Sequence, residues 1–416
     1  MRAVHGLARN ERQGGVLQKR PAGTASRKLL TMSLHSVRPR QAPGNGLVLL
    51  LIPVGFAVLG LAIRYLAYMQ TVGEPWPADF ITGMCRWDCG WYVRLAEEGY
   101  DPFPVPSMIN AGNWAFFPLF PMLVGALRIL TGLPTMLLAT LASLALSIAS
   151  ARLAWPLLGK DMRAYTLFSA FLLAGPFSMY FATFYSEAVF MLLTVGVFVS
   201  LQRRHYLAAG IFAALVSATR IVGVFIVLAI VLQAWLDHRE RGGRLIDFIP
   251  AVLKRPDLLV AIFIAPLGLF AYMAFLHWHI GDALAFSHVQ RAWGRATGNP
   301  LGYLWTGLTN FRTDSWLPSV SQQLSVTWLV GVATTIVMAV RRQFPAALFC
   351  LICLTLPLFA GLASMLRFTV GLAPVSVTAM TLLGRRRWLF YGGMAVIVIG
   401  GYFGTVGWLT GVLTLV

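Results

Sequence analysis

One acid, Asp88, lies between two tryptophans in the segment Cys85-Arg86-Trp87-Asp88-Cys89-Gly90-Trp91-Tyr92. Read as a helix from Trp87 to Glu98, the segment places Asp88, Trp91, Tyr92 and Leu95 on one face, at spacings of three, four and seven. Arg94, Glu97 and Glu98 fall elsewhere, and Gly99 and Pro102 stop the helix. A carboxylate held among aromatic rings is suited to taking a proton from a hydroxyl group. The same pattern also describes an interfacial anchor helix whose charges face water. Cys85 and Cys89 flank Asp88. On a helix they would share a face, a geometry poorly suited to a disulfide. No histidine joins them at metal-ligand spacing, so no zinc site is expected.

Two more charged residues stand in apolar surroundings. Arg220 lies inside the run Tyr206 to Trp235, and Glu187 lies in the run Phe184 to Leu201 that follows Pro176. An arginine at a helix centre costs ~2.5–3.5 kcal/mol on insertion scales, so Arg220 must face a partner or a wet cavity. Glu187 is costly for the same reason, and a structural pair of the two is one solution. Arg367, between two apolar runs, can snorkel to an interface. Gln290, Arg291, Trp293 and Arg295 cluster further along, where Arg291 fits a solvated loop helix. His277, His279 and His288 are close in sequence, but the first pair would diverge on a helix, which does not suit a metal.

These residues are carried by a greasy chain. Of 416 residues 58% are hydrophobic and 12% charged, with mean hydropathy +0.72. That excludes a soluble globule and predicts an all-α, polytopic transmembrane helical bundle. The formal net charge of +18 fits cytoplasmic loops under the positive-inside rule, and no basic-aromatic module points to nucleic acid. Four lysines against 29 arginines, with much Ala, Gly and Leu, suggest a GC-rich bacterial genome. Residues 1–45 read as a basic, disordered cytoplasmic tail, with Met32 as an alternative start. Residues 46–416 form the membrane domain. Apolar runs predict roughly 11 membrane segments, including Gly46 to Met69 with Arg64 snorkelling at its outer end, and Ala115 to Leu130. Residues 70–113 and 279–320 form two long extracytoplasmic loops carrying short amphipathic helices, and residues 236–257 a cytoplasmic loop. Parity then puts the basic turn Arg203-Arg204-His205 outside, against the positive-inside rule.

The pattern Trp87-Asp88-x-x-Trp91-Tyr92, then Ala96 and Gly99-Tyr100, then Ala115-Phe116-Phe117-Pro118-Leu119-Phe120-Pro121 resembles the PIG-V family. These are the GPI mannosyltransferase 2 proteins and their bacterial relatives, within the GT-C class of membrane glycosyltransferases. Three later pieces agree: Pro176 to Ala188 with Tyr185-Ser186-Glu187, Ser217 to Gly223 around Arg220, and Ser364 to Phe368 around Arg367 with Pro374. Each alone is weak; the five in order, over about residues 46 to 385, are specific. The acid-x-acid motif of some GT-C enzymes is absent, since residue 90 is glycine.

The resemblance implies a GT-C-like fold and transfer of a sugar, expected to be mannose, from a polyprenyl- or dolichyl-phosphate-linked donor. The acceptor is a glycolipid or glycan, the site extracytoplasmic, and the anomeric centre inverted. Such a reaction needs a base and cations for the departing phosphate. Asp88 is the expected base. Arg220, Arg367 and Arg295 are expected at phosphate, Trp293 against a sugar ring, and Trp87, Trp91, Tyr92 and Glu187 around the substrates. No metal and no cofactor is expected. Partners are the donor, the acceptor and membrane lipids, in a bacterial inner membrane or, for a eukaryotic chain, the endoplasmic reticulum. Arabinose or glucose are alternative sugars. The alternative class is a lipid-linked sugar flippase or transporter, whose charges would gather at the midplane and whose halves would repeat.

Overall fold

An apolar run of 24 residues winds into α1 (Val48–Thr71), about 36 Å long and enough to cross a bilayer. The structure, a computed structural model, describes residues 46–73, 77–105, 111–295, 297–311 and 318–411. The basic tail expected over 1–45 lies outside the described residues. Among the described residues helices are the regular elements, beside one isolated bridge between Val105 and Ala111. Among the described residues six helical spans are long and apolar enough to cross a membrane: 48–71, 135–153, 221–240, 256–280, 320–340 and 387–410. A pair bent by 69°, 365–371 with 373–384, makes a seventh if taken as one span. Five further apolar helices are shorter, at 10–17 residues. The chain thus has six or more candidate spans, and a count near eleven requires short helices to cross as well. Val58, Ile336, Val396 and Phe403 are more than half exposed, as expected of faces that meet lipid rather than water.

After α1 come α2 (Pro77–Gly83), α3 (Cys89–Glu98), α4 (Leu119–Thr131) and α5 (Thr135–Leu153). The sequence predicts that the residues of α4 return across the membrane. Instead α4 lies along α3, its Gly125 so close to Ala96 that an added Cβ would sit 2.8 Å from the Ala96 carbonyl oxygen. Its start bonds Ala218, Leu119 N to Ala218 O at 3.2 Å. Just beyond its end, Thr135 donates to Glu97 of α3. The middle of α4 and the residues just past its end therefore lie against α3, while its start lies against the end of α8. With 13 residues, about 20 Å, it is too short to cross upright.

Then follow α6 (Met162–Ala174), α7 (Glu187–Gln202), α8 (Tyr206–Ser217), α9 (Ile226–Glu240), α10 (Phe248–Leu253), α11 (Pro256–Ile264) and α12 (Leu267–Ile280). The long run 206–235 is broken at Arg220, which is extended, so α8 and α9 are two antiparallel legs. Arg204 settles their direction. Its Nε lies 3.1 Å from Asp237 Oδ2 and its Nη2 2.6 Å from Glu240 Oε2, while Arg255 covers the Tyr206 ring at 4.8 Å. The basic turn 203–205 thus shares one end of the bundle with residues 236–257. The parity count, which puts this turn and residues 236–257 on opposite sides, does not hold for these two segments: they lie at one end, as the positive-inside rule asks of two arginine-rich turns.

The remainder is α13 (Ala285–His288), α14 (Pro300–Thr309), α15 (Val320–Val340), α16 (Phe344–Leu358), α17 (Met365–Gly371), α18 (Ala373–Gly384) and α19 (Arg387–Thr410). Arg64 corrects a second expectation. It does not snorkel: it is 2% exposed, and its Nη1 donates to Leu173 O at 3.0 Å and Ser178 Oγ at 2.8 Å. The last carbonyls of a helix lack intrahelical donors and carry partial negative charge, so α6 receives a cation at its C-terminus. That contact fixes the chain reversal 175–186, which leads into Glu187.

Candidate functional site

The turn that carries Asp88 is not helical throughout. α3 begins at Cys89, with Asp88 at its N-cap, and Trp87 has φ 55°, in the left-handed region. This departs from a helix over Trp87 to Glu98. It also overturns the expectation for the cysteines: Cys85 and Cys89 form a disulfide, with Cα atoms 5.3 Å apart, inside the usual range. The expectation assumed a continuous helix, whereas the left-handed residue folds the chain back. The turn is held from outside as well. Tyr185 Oη donates to Arg86 O at 2.7 Å and Trp408 Nε1 to Met84 O at 3.0 Å.

Asp88 meets Arg367, Nη1 to Oδ2 at 2.5 Å. Arg367 Nε lies 3.1 Å from Glu187 Oε1, close but not aligned as a hydrogen bond. Glu187 is fully buried at the start of α7 and pairs with Arg220. Arg220 Nε donates to Ser186 Oγ at 3.1 Å, and Tyr92 Oη donates to the same oxygen at 3.1 Å. Arg220 and Arg367 also face the Phe368 ring, each at 5.9 Å. Four residues from four distant segments thus form one chain of alternating charge, Asp88–Arg367–Glu187–Arg220. A glutamate at a helix N-terminus is favoured by the helix dipole, and here two guanidiniums add to it.

Arg295 completes the charge balance. Its Nη1 donates to Gln290 Oε1 at 3.1 Å and its Nη2 to Ser364 Oγ at 3.0 Å, both neutral acceptors. Burial, together with the Arg367 cation, lowers its pKa; the Asp88 carboxylate opposes this, so Arg295 shares the field of the pair. With both acids ionised, three guanidiniums face two carboxylates, leaving one positive charge.

Aromatic rings wall the same region. Trp91 stacks on Phe116 at 5.9 Å and meets Trp293 edge-on at 5.7 Å. Tyr92 meets Phe116 edge-on at 5.1 Å, and burial raises its pKa. Next to them, Arg94 binds Asp101 at 2.6 Å, Asp101 and Asn113 exchange hydrogen bonds, and Trp114 Nε1 donates to Asp101 O at 2.7 Å. The charged face of α3 is therefore not merely solvated. Through Arg94 it holds Asp101, which in turn holds Asn113 and Trp114.

The structure thus brings Asp88, Glu187, Arg220, Arg295 and Arg367 into one electrostatic cluster, with Trp91, Tyr92 and Trp293 beside it. Trp87 stands apart, 45% exposed and joining no aromatic pair among the described residues. Ser186, Ser364 and Gln290 serve as connectors that were not singled out as site residues, although each lies in or beside a quoted motif. Arg220 and Arg367 were expected to face phosphate; both reach carboxylates first, because a buried charge is satisfied by the nearest opposite charge. Among the described residues no three His, Cys, Asp or Glu side chains converge to hold a metal. His279 instead contacts the Tyr100 and Asp101 carbonyls, and His288 pairs with Asp282 at 2.7 Å.

Fold and site define a multi-pass helical membrane protein with a charged cluster built where α3, α7, the 220 break and α17 meet. The chain matches no protein-family model. Over 155 residues it is 33% identical to GPI alpha-1,6-mannosyltransferase 2 of Cricetulus griseus. That match covers 34% of this chain and 30% of the hamster protein, so the likeness is distant and partial.

Proposed function

We propose that the protein is an integral membrane glycosyltransferase, a mannosyltransferase by its partial likeness, that moves a sugar from a polyprenyl-phosphate carrier to a glycolipid or glycan hydroxyl. The observation that carries this reading is the charge balance around Asp88. A carboxylate base and one surplus guanidinium charge are what inverting transfer from a phosphate-linked sugar requires.

In this reading Asp88 accepts the proton of the acceptor hydroxyl as oxygen attacks the anomeric carbon and the bond to phosphate breaks. Arg367 holds Asp88 oriented. Arg295, bound only to neutral groups, can exchange them for phosphate oxygens, and a guanidinium can bridge two such oxygens. Glu187 and Arg220 stiffen the frame, and Trp91 and Trp293 offer faces for a sugar ring. The motifs that resemble the PIG-V family support the same assignment. The site then belongs on the extracytoplasmic side, opposite the arginine-rich turns. The test is incubation of purified protein with polyprenyl-phosphate mannose and a glycolipid acceptor, with products identified by mass. Gain of one hexose on the acceptor is expected; intact donor under all conditions would contradict the reading.

A further inference from the structure

The disulfide lies within the turn that presents Asp88, and nothing above gives it a task. Cys89 is fully buried and packs against Met136 of α5, with sulfurs 3.7 Å apart. Cys85 follows Met84, whose carbonyl is held by Trp408. Between them Trp87 occupies a left-handed conformation that a tryptophan does not favour, and such residues persist only where the surroundings enforce them. Two hydrogen bonds to Met84 and Arg86, one ion pair to Asp88 and one covalent bridge enforce this one. Within the turn itself the bridge acts beside one backbone hydrogen bond, Cys89 N to Arg86 O at 3.1 Å, and is the covalent one of the two.

We propose that the Cys85–Cys89 disulfide is a positioning latch: it holds Asp88 in register with Arg367, and opening it lowers turnover without removing the donor site. The proposed donor-facing cation Arg295 lies on another segment, where Gln290 and Ser364 hold it. A persisting disulfide also requires an oxidising compartment, which places the Asp88 end of the bundle away from the cytoplasm independently of arginine counts. The inference rests on the transferase reading for its kinetic consequence, but not for the latch itself.

Opening is ordinary thiol exchange. A dithiol attacks one sulfur as thiolate, forming a mixed disulfide; its second thiol closes a ring and releases Cys85 and Cys89 as two thiols. The protein gains two electrons and two protons, and the dithiol is oxidised to its cyclic disulfide.

The test uses the full chain purified without reductant. Alkylation after denaturation, read by peptide mass, should modify Cys350 and Cys353 only, and all four cysteines after dithiothreitol. Amide exchange at residues 86–89 should speed up on reduction while exchange in α7 stays unchanged. In transfer assays, reduction and the Cys85→Ser/Cys89→Ser variant should each lower kcat by about 10–100-fold with little change in donor KM, since small misplacements of a reacting group cost that much. Reduced wild-type protein, folded while oxidised, covers the case in which the variant does not fold. Free Cys85 and Cys89 in active protein, or a bridge whose reduction changes neither exchange nor kcat, would overturn the latch. If no condition gives transfer, the activity reading fails, and the exchange measurement still decides the latch.

Discussion

Arg367 donates to Asp88 across 279 residues of sequence, Nη1 to Oδ2 at 2.5 Å, and thereby ties the turn before α3 to the late bent helix pair. Its Nε side lies against Glu187. One guanidinium therefore sets the positions of the buried Glu187 and the half-buried Asp88, and the chemistry assigned to Asp88 depends on it.

Arg295 is the cation with charge left over, so its removal should act on the donor. Arg295→Ala should raise donor KM by about 10–100-fold, the range for losing hydrogen bonds to a charged group. Arg295→Lys should recover only part, because an ammonium lacks the planar fork. Initial rates against polyprenyl-phosphate mannose concentration check this. An unchanged KM would remove Arg295 from the phosphate site.

Arg220 should behave as a structural partner. Removing it alone leaves Glu187 buried beside a single cation, and breaking a buried pair costs about 3–5 kcal/mol. Arg220→Leu should lower the thermal midpoint in detergent strongly. The Arg220→Leu/Glu187→Leu double variant should regain much of that loss. Additive losses would mean that the two residues do not act as a pair.

The Arg204 contacts predict topology. Cysteines placed at 203 and 241 should label from the same side of sealed membranes, and one at 103 from the opposite side. Residues 203 and 241 labelling from opposite faces would break the bundle direction derived from Arg204, Asp237 and Glu240.

Transfer should survive chelation, since the proposed site supplies guanidiniums for the phosphate. Assays with and without EDTA should agree. Activity lost in EDTA and restored by magnesium or manganese would contradict this.

Much of the site could be read from the chain, because charges in apolar surroundings are expensive and must have a purpose. Glu187 and Arg220 stand out for that reason, Asp88 for its place between two tryptophans and Arg367 through the motif around it, and the four meet. What could not be read was three-dimensional. Arg220 was visible as a buried cation, but its choice of Glu187 over a ligand depends on where α7 begins relative to the break at 220. Arg64 looked like an interfacial arginine because nothing in its own helix shows that the end of α6 lies against it. The residues of α4 have membrane-like composition; only their packing on α3 shows that they lie alongside it. The disulfide was missed because one left-handed residue, Trp87, changes the path between the two cysteines, and tryptophan gives no local signal for that conformation.

The most direct test of the account is Asp88→Asn, which keeps the shape of the side chain and its contact with Arg367 while removing the base. Turnover should be compared with wild type in detergent, with polyprenyl-phosphate mannose, a defined acceptor and matched folded protein. The account predicts a kcat lower by about 10²–10⁴-fold, the usual contribution of a positioned base, with donor KM nearly unchanged. A folded Asp88→Asn protein that turns over at the wild-type rate would contradict it and shift attention to Glu187.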